Sequence, residues 1–131
     1  MGSYLDSTIA YTLYKDETVK PYFVDKTGLL EELIPLVNQG SSYVCITRPR
    51  RFGKTVMANM IASFFSRVCD ASGIFDSLRI AACESYYSNL NKYPVIHISF
   101  NELPRKCKTY DQYIERIERK LIKDLVRSYP D

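Results

Sequence analysis

Thr47-Arg48-Pro49-Arg50-Arg51-Phe52-Gly53-Lys54-Thr55 is the stretch that decides the predicted fold. Before it, residues 42–47 form a short apolar run with β-branched side chains, which predicts a buried strand. After it, apolar residues recur along residues 53–68 at helical spacing and predict a helix that packs on a sheet. The sequence therefore predicts a strand, a loop and a helix in immediate succession.

The loop carries the end of a phosphate-binding motif. Such a loop has the form GxxxxGK[ST] between a strand and a helix. Gly53-Lys54-Thr55 fits its last three positions, while Arg48 stands where the first glycine is expected. A bare GK[ST] tripeptide arises by chance about once in fifteen chains of this length. The prediction of a phosphate site therefore depends on the strand before the tripeptide and the helix after it.

The chemistry of the loop follows from its position before a helix. Backbone N–H groups and the helix dipole favour phosphate there, and Gly53 allows a close approach because it lacks a Cβ. We expect Lys54 to reach the β- and γ-phosphates and the Thr55 hydroxyl to bind Mg²⁺. The candidate nucleotide-binding residues are Arg48, Pro49, Arg50, Arg51, Phe52, Gly53, Lys54 and Thr55. The three arginines form either a solvated basic rim or contacts with phosphate or with a neighbouring subunit's nucleotide.

The distribution of charge supports an anion site. The net charge is only +3, yet residues 41–69 contain five basic side chains and no acidic one, whereas residues 1–40 contain three lysines and six acids. This concentration of positive charge favours an anionic ligand. It is too small by itself to indicate nucleic-acid binding.

Composition predicts one globular domain over residues 1–131, with 46% hydrophobic and 25% charged residues. No apolar run approaches the ~18 residues that a membrane span needs. Cysteines stand at 45, 69, 83 and 107 without a close pair, which predicts reduced thiols and a cytoplasmic location.

The remaining segments complete the predicted order of elements. Residues 1–20 lack clean periodicity and are predicted to be irregular. A helix follows near Leu29 and is expected to kink or end at Pro35. Residues 94–100 predict a second buried strand, and Tyr110 to Tyr129 a long amphipathic helix. The order strand, helix, strand, helix predicts an α/β domain whose parallel sheet is flanked by helices.

Four stretches of the sequence resemble one protein family. They are Tyr22-Phe23-Val24-Asp25-Lys26-Thr27, the stretch from Arg48 to Thr55, Phe64-Phe65, and Tyr93-Pro94-Val95-Ile96-His97-Ile98 with Phe100. The chain resembles the AAA-ATPase-like family of predicted P-loop ATPases, in which arginine is usual at the first loop position. From about residue 20 onward, nearly the whole chain takes part in this resemblance.

The resemblance implies ATP and Mg²⁺ as cofactors, and places Phe23, Val24 and Asp25 beside the adenine. A hydrophobic anchor followed by a helix N-cap is the alternative role for these three residues. Full-length members of the family carry a PD-(D/E)xK nuclease-like domain at the far end. This chain therefore resembles the N-terminal part of such an ATPase, with a lead segment at 1–40 and the phosphate-loop unit at 41–131.

The acidic residues that hydrolysis needs are missing from the pattern. No later strand ends in paired acids, so no Walker B carboxylate and no catalytic residue is assigned to this chain. In the sheet order that the resemblance implies, two further strands separate residues 42–47 from residues 94–100. We therefore expect an incomplete sheet, self-association through unpaired strand edges, and ATP turnover at background.

The function expected from the sequence is ATP binding through a variant Walker A loop. One alternative is a protein-interaction module in which the phosphate loop is structural and the helix from Tyr110 to Tyr129 binds a partner. The other is association with nucleic acid through Arg50 and Arg51, in keeping with the nuclease-like domain of full-length relatives. Phosphate contacts of that kind weaken steeply with salt.

Overall fold

The computed structural model describes residues 4–37, 39, 43–47, 53–98 and 109–129. This part of the chain folds into helices joined by turns. The elements are α1 (Ile9–Thr18), α2 (Gly28–Leu33), α3 (Lys54–Phe65), α4 (Ser72–Phe75), α5 (Tyr86–Asn89), α6 (Tyr110–Ser128) and the 3-10 turns Ile34–Leu36 and Arg79–Ala82. Within these ranges, none of the helices combines the length and apolar character needed to cross a membrane.

The predicted α/β fold with a parallel sheet is wrong: the described part is helical and contains no strand. Residues 43–47, expected in the first strand, have no regular structure, and the side chain of Tyr43 is 92% exposed. Residues 94–98, expected in the second strand, make only an isolated bridge. A strand persists only where a neighbouring strand takes up its backbone hydrogen bonds. No described segment pairs with residues 43–47. Residues 94–98 pair with residues 4–6 only through the bridge between Leu5 and Ile96 and its two flanking backbone hydrogen bonds, so neither apolar, β-branched run produces a sheet.

Residues 93–97 connect two distant parts of the chain instead. Leu5 forms an antiparallel bridge with Ile96, and Ser66 forms a parallel bridge with Tyr93. The segment therefore ties the N-terminal residues to the end of α3. Self-association through strand edges stays a prediction from the sequence.

A cluster of buried aromatic side chains forms the centre of the fold. The ring of Tyr14 stacks on that of Phe75, with centroids 5.5 Å apart and planes 18° from parallel. Phe64 meets Phe75 edge-on at 5.4 Å and lies 6.0 Å from Tyr86. Offset stacking and edge contacts are the arrangements that ring quadrupoles favour. The cluster holds α1, α3, α4 and α5 together.

Helix α1 lies where the sequence predicts irregular structure. Its buried residues, Ala10 and Tyr14, are four positions apart and so share one face. That face packs against α3. The predicted early end at Pro35 is confirmed, because α2 stops at Leu33 and the chain continues as a 3-10 turn.

Asn91 fixes the end of α3. Its amide nitrogen donates to the carbonyls of Ser63 (3.0 Å) and Ser66 (2.7 Å), while its Oδ1 accepts the Ala71 N–H at 2.8 Å. Carbonyls in the last turn of a helix lack partners within the helix, and Asn91 supplies one. Its left-handed backbone, with φ of 56°, is tolerated better by asparagine than by most residues.

Helix α6 confirms the predicted long amphipathic helix. It begins after Thr109, whose hydroxyl accepts the N–H of Gln112 at 3.2 Å and so caps the helix. Farther along, the buried carboxylate of Asp124 accepts the backbone N–H groups of Tyr4 (2.7 Å) and Leu5 (3.2 Å). These bonds hold α6 to the N-terminal residues.

Candidate nucleotide site

The site is built around the start of α3. Gly53 precedes the helix in a left-handed conformation, with φ of 82° and ψ of 25°, and its carbonyl accepts the Met57 N–H at 2.9 Å. Only glycine adopts this conformation without steric cost. Lys54 and Thr55 follow in the first turn and are exposed. The predicted glycine therefore lies where the backbone needs one, directly before two polar side chains at the positive end of a helix.

The rest of the predicted loop lies outside the described residues. Arg48, Pro49, Arg50, Arg51 and Phe52 belong to this part, and their roles stay predictions from the sequence. Thr47, the last residue before them, is exposed.

The lead segment lies beside the start of α3. Phe23 is half-buried and meets the ring of Tyr14 edge-on, with centroids 6.2 Å apart. Tyr22 and Val24 are 93% and 66% exposed. Phe23 therefore anchors the segment, and its two neighbours leave apolar surface accessible.

Asp25 makes structural hydrogen bonds. Its Oδ1 accepts from the N–H and hydroxyl of Thr27, at 2.8 and 2.6 Å, and its Oδ2 accepts the Arg79 N–H at 2.7 Å. Partial burial by itself raises the pKa of the Asp25 carboxyl, but these hydrogen bonds outweigh burial and lower it. Thr27 in turn accepts the Ile80 N–H at 3.1 Å. These bonds favour the structural role for Asp25 over contact with a base.

An open cleft of about 330 Å³ lies between the lead segment, α1 and α3. Ligand pockets begin at about this volume. Its lining consists of Tyr14, Glu17, Tyr22, Phe23, Val24, Lys26, Gly53, Val56, Met57 and Met60. Along α3 it extends from Gly53 to Met60, which is about 10 Å at the rise of a helix. The structure thus brings three predicted site residues (Phe23, Val24 and Gly53) into one cleft.

Lys26 lies at the end of the cleft formed by Gly53. Its Nζ is 2.8 Å from the point where a Cβ on Gly53 would stand. With a carbon–carbon bond of about 1.5 Å, the ammonium is therefore within about 4.3 Å of the Gly53 Cα. The lead segment thus supplies a positive charge to the start of α3.

Tyr14 is a cleft residue that the sequence analysis missed. Its ring is buried, and its hydroxyl has no hydrogen-bond partner among the described residues. Burial raises the pKa of this hydroxyl far above its usual value, and the charges of Asp25 and Glu17 raise it further. Buried hydroxyls are normally paired, and that of Tyr14 is an exception within the described residues. The sequence signal for Tyr14 is its four-residue spacing from Ala10, which is too short a pattern to predict a helix.

The described residues contain no group of three His, Cys, Asp or Glu side chains that could hold a metal ion. The Thr55 hydroxyl is the predicted Mg²⁺ ligand within this part of the chain. One hydroxyl fits a Mg²⁺ ion that arrives on a nucleotide, because Mg²⁺ keeps most of its other ligands as water and phosphate oxygen.

Comparisons with known proteins identify the family. An uncharacterised protein encoded in the vnfD 5′ region of Azotobacter chroococcum mcd 1 is 33% identical over 79 residues, which are 60% of this chain and 13% of that protein. The chain thus spans a small share of this relative's length. No solved structure matches. The profile of the predicted AAA-ATPases, AAA-ATPase_like, matches residues 13–130, which include every residue that lines the cleft. The chain therefore belongs to the AAA-ATPase-like family of predicted AAA-ATPases.

Proposed function

We propose that the cleft binds Mg²⁺–ATP, with the triphosphate at the start of α3 and the base between the lead segment and α3. The observation that carries this proposal is the shared cleft of Phe23, Val24 and Gly53. The family resemblance implies that Phe23 and Val24 lie beside the adenine, and the loop motif predicts Gly53 at the phosphates. Membership of a predicted ATPase family supports ATP as the ligand.

At the phosphate end, α3 begins with groups suited to an anion. Within the described residues, the helix has no side-chain cap and no acidic residue in its first turn, and the first N–H groups of a helix have no partner within the helix itself. The dipole of a helix favours negative charge at this end. Lys54 adds a charge-assisted hydrogen bond to phosphate, and the Thr55 hydroxyl is a ligand for the Mg²⁺ that accompanies ATP.

At the base end, the cleft is apolar and open. Phe23 and Val24 contribute from the lead segment, and Val56, Met57 and Met60 contribute from two turns of α3. Thioether and aromatic side chains pack well on a flat ring because they are polarisable. The base therefore buries its faces on apolar groups while its triphosphate stays near solvent.

Calorimetric titration of the full chain with ATP in excess Mg²⁺ tests the proposal. Lys54→Ala should weaken ATP binding at least tenfold, because a charge-assisted contact with phosphate is lost. Lys123→Ala, a change of the same type at an exposed position of α6, is the matched control and should bind as the wild type does. No binding to the wild type, or equal affinities for all three proteins, would exclude this site.

A further inference from the structure

We propose that α6 binds the phosphate backbone of duplex nucleic acid through a stripe of basic side chains. The basic stripe consists of Arg116, Arg119, Lys120 and Lys123. At about 100° per residue, these four positions fall within an arc of about 100° around the helix. They extend about 10 Å along it, and Arg127 continues the row one turn farther on. The stripe is separate from the nucleotide cleft, whose lining includes no residue of α6.

The charges of α6 are segregated by sign around the helix. Its three exposed acids lie outside the arc of the basic stripe: Asp111, Glu115 and Glu118. The fourth acid, Asp124, is buried and accepts the backbone N–H groups of Tyr4 and Leu5. These bonds hold the helix to the N-terminal residues. The positive charge of the stripe is therefore offset only from its edges, on a helix whose position is fixed.

The cations of the stripe are accessible to a ligand. Arg119 and Lys123 are exposed, and Arg116 and Lys120 are half-buried. Among the described residues none of the four forms a salt bridge. Opposite charges four residues apart commonly pair on a helix, yet Glu115 and Arg119 do not. Contact with an anion therefore breaks no ion pair within the described part of the chain.

A row of cations suits a polyanion whose charges recur along a line. Side chains three or four residues apart on a helix stand about 5–6 Å apart. Each strand of a duplex presents a phosphate about every 3.4 Å along its axis. Several phosphates therefore meet the stripe at once, and each contact is favoured by the release of counterions. A single nucleotide meets only part of the stripe, so we expect ATP to remain in the cleft.

The exposed apolar residues of α6 favour nucleic acid over a membrane surface as the partner. Ile122 and Val126 are 58% and 61% exposed. They lie on the same side of the helix as Glu115 and Glu118. An anionic lipid surface that took up these apolar side chains would also meet both carboxylates, whereas a phosphate backbone along the stripe avoids them.

The test measures fluorescence anisotropy of the full chain with a short fluorescein-labelled DNA duplex and with an RNA duplex of the same sequence. Binding should weaken steeply between about 50 and about 200 mM salt. The double variant Arg119→Gln/Lys123→Gln should bind at least about tenfold more weakly at the lower salt concentration. Its slope of log affinity against log salt should be smaller by about 2, because two phosphate contacts are lost.

Lys15→Gln/Lys92→Gln is the matched control. It lowers the net charge by the same amount at two exposed positions outside α6. It should lose much less affinity and keep the wild-type slope. Thermal unfolding of each variant confirms that it is folded. Vesicles that contain phosphatidylserine form a third arm of the experiment.

Four results would overturn the inference. Neither duplex binds the wild type at about 50 mM salt. Both double variants lose the same affinity, so that net charge accounts for the loss. Arg119→Gln/Lys123→Gln binds as the wild type does, which places the contact elsewhere, as at Arg50 and Arg51. The vesicles bind and the duplexes do not. Each result is independent of the ATP titrations with Lys54→Ala, which test the nucleotide cleft.

Discussion

The Nζ atom of Lys26 lies 2.8 Å from the point at which a side chain on Gly53 would begin. Two residues 27 positions apart in sequence thereby share one small space, and the absence of a Cβ at Gly53 is what makes their approach possible. The same glycine has a φ of 82°, which disfavours any other residue. The close approach of Lys26 and the left-handed backbone therefore both require glycine at position 53, which begins the GK[ST] tripeptide.

Gly53→Ala should therefore disturb the site in two ways. The left-handed backbone costs about 1–2 kcal/mol for a residue with a Cβ, and the new methyl group displaces the ammonium of Lys26. We expect a lower free energy of unfolding, measured in urea, together with weaker ATP binding. Gly73→Ala is the matched control because a Cβ there meets nothing within 4 Å. Equal unfolding free energies for the two variants would contradict this account of Gly53.

Tyr14→Phe should stabilise the protein and impair binding. The variant removes a buried hydroxyl that has no partner, so the free energy of unfolding without ligand should rise by about 1 kcal/mol. ATP affinity should fall, because Tyr14 lines the cleft that is proposed to hold the nucleotide. Urea unfolding and calorimetry measure the two effects. A variant less stable than the wild type, or one with unchanged ATP affinity, would show that the hydroxyl has another role.

Stability should depend on pH through His97, the single histidine of the chain. Burial lowers the pKa of its imidazole below the ordinary value of 6.5. The unfolded chain therefore binds a proton first, and stability is lost as the pH falls from 6.5 toward the lowered value. Above pH 6.5 this contribution is fully present. The lowered pKa of the Asp25 carboxyl affects the stability of the fold only in more acidic solution, where stability is lost as the pH falls below 3.8.

Urea unfolding at pH 7.5 and 5.5 measures this effect. The wild type should be less stable at pH 5.5, and His97→Gln should lose much less stability over the same range because it has no group that titrates there. If both proteins lose the same stability, other groups are responsible.

The long helices are predictable from sequence because their apolar residues repeat with the period of a helix. The apolar stripes of residues 53–68 and of Tyr110 to Tyr129 correspond to α3 and α6. A strand cannot be predicted in the same way, because it also requires a neighbour. Residues 43–47 have the apolar and β-branched composition of a strand, but no described segment pairs with them, and most of their side chains are exposed.

The site is predictable where local chemistry fixes it. Gly53 is identified by its position between a polar loop and an apolar stripe, and the structure gives it the backbone that only glycine adopts readily. Tyr14 is not predictable in this way, because its importance comes from a contact with Phe75 and from its place in the cleft. Both depend on how α1 packs, and residues 1–20 give too weak a periodicity to show it.

Hydrogen–deuterium exchange with and without saturating Mg²⁺–ATP tests most directly whether the cleft is the nucleotide site. The lead segment at residues 22–26 contains no helix or strand, so without ligand its amides should exchange faster than those of α3. We predict that ATP slows exchange both there and at residues 53–60, leaves α6 unchanged, and has no such effect on Lys54→Ala. Unchanged exchange at residues 22–26 in wild-type protein saturated with ATP, or equal protection in Lys54→Ala, would contradict the proposed site.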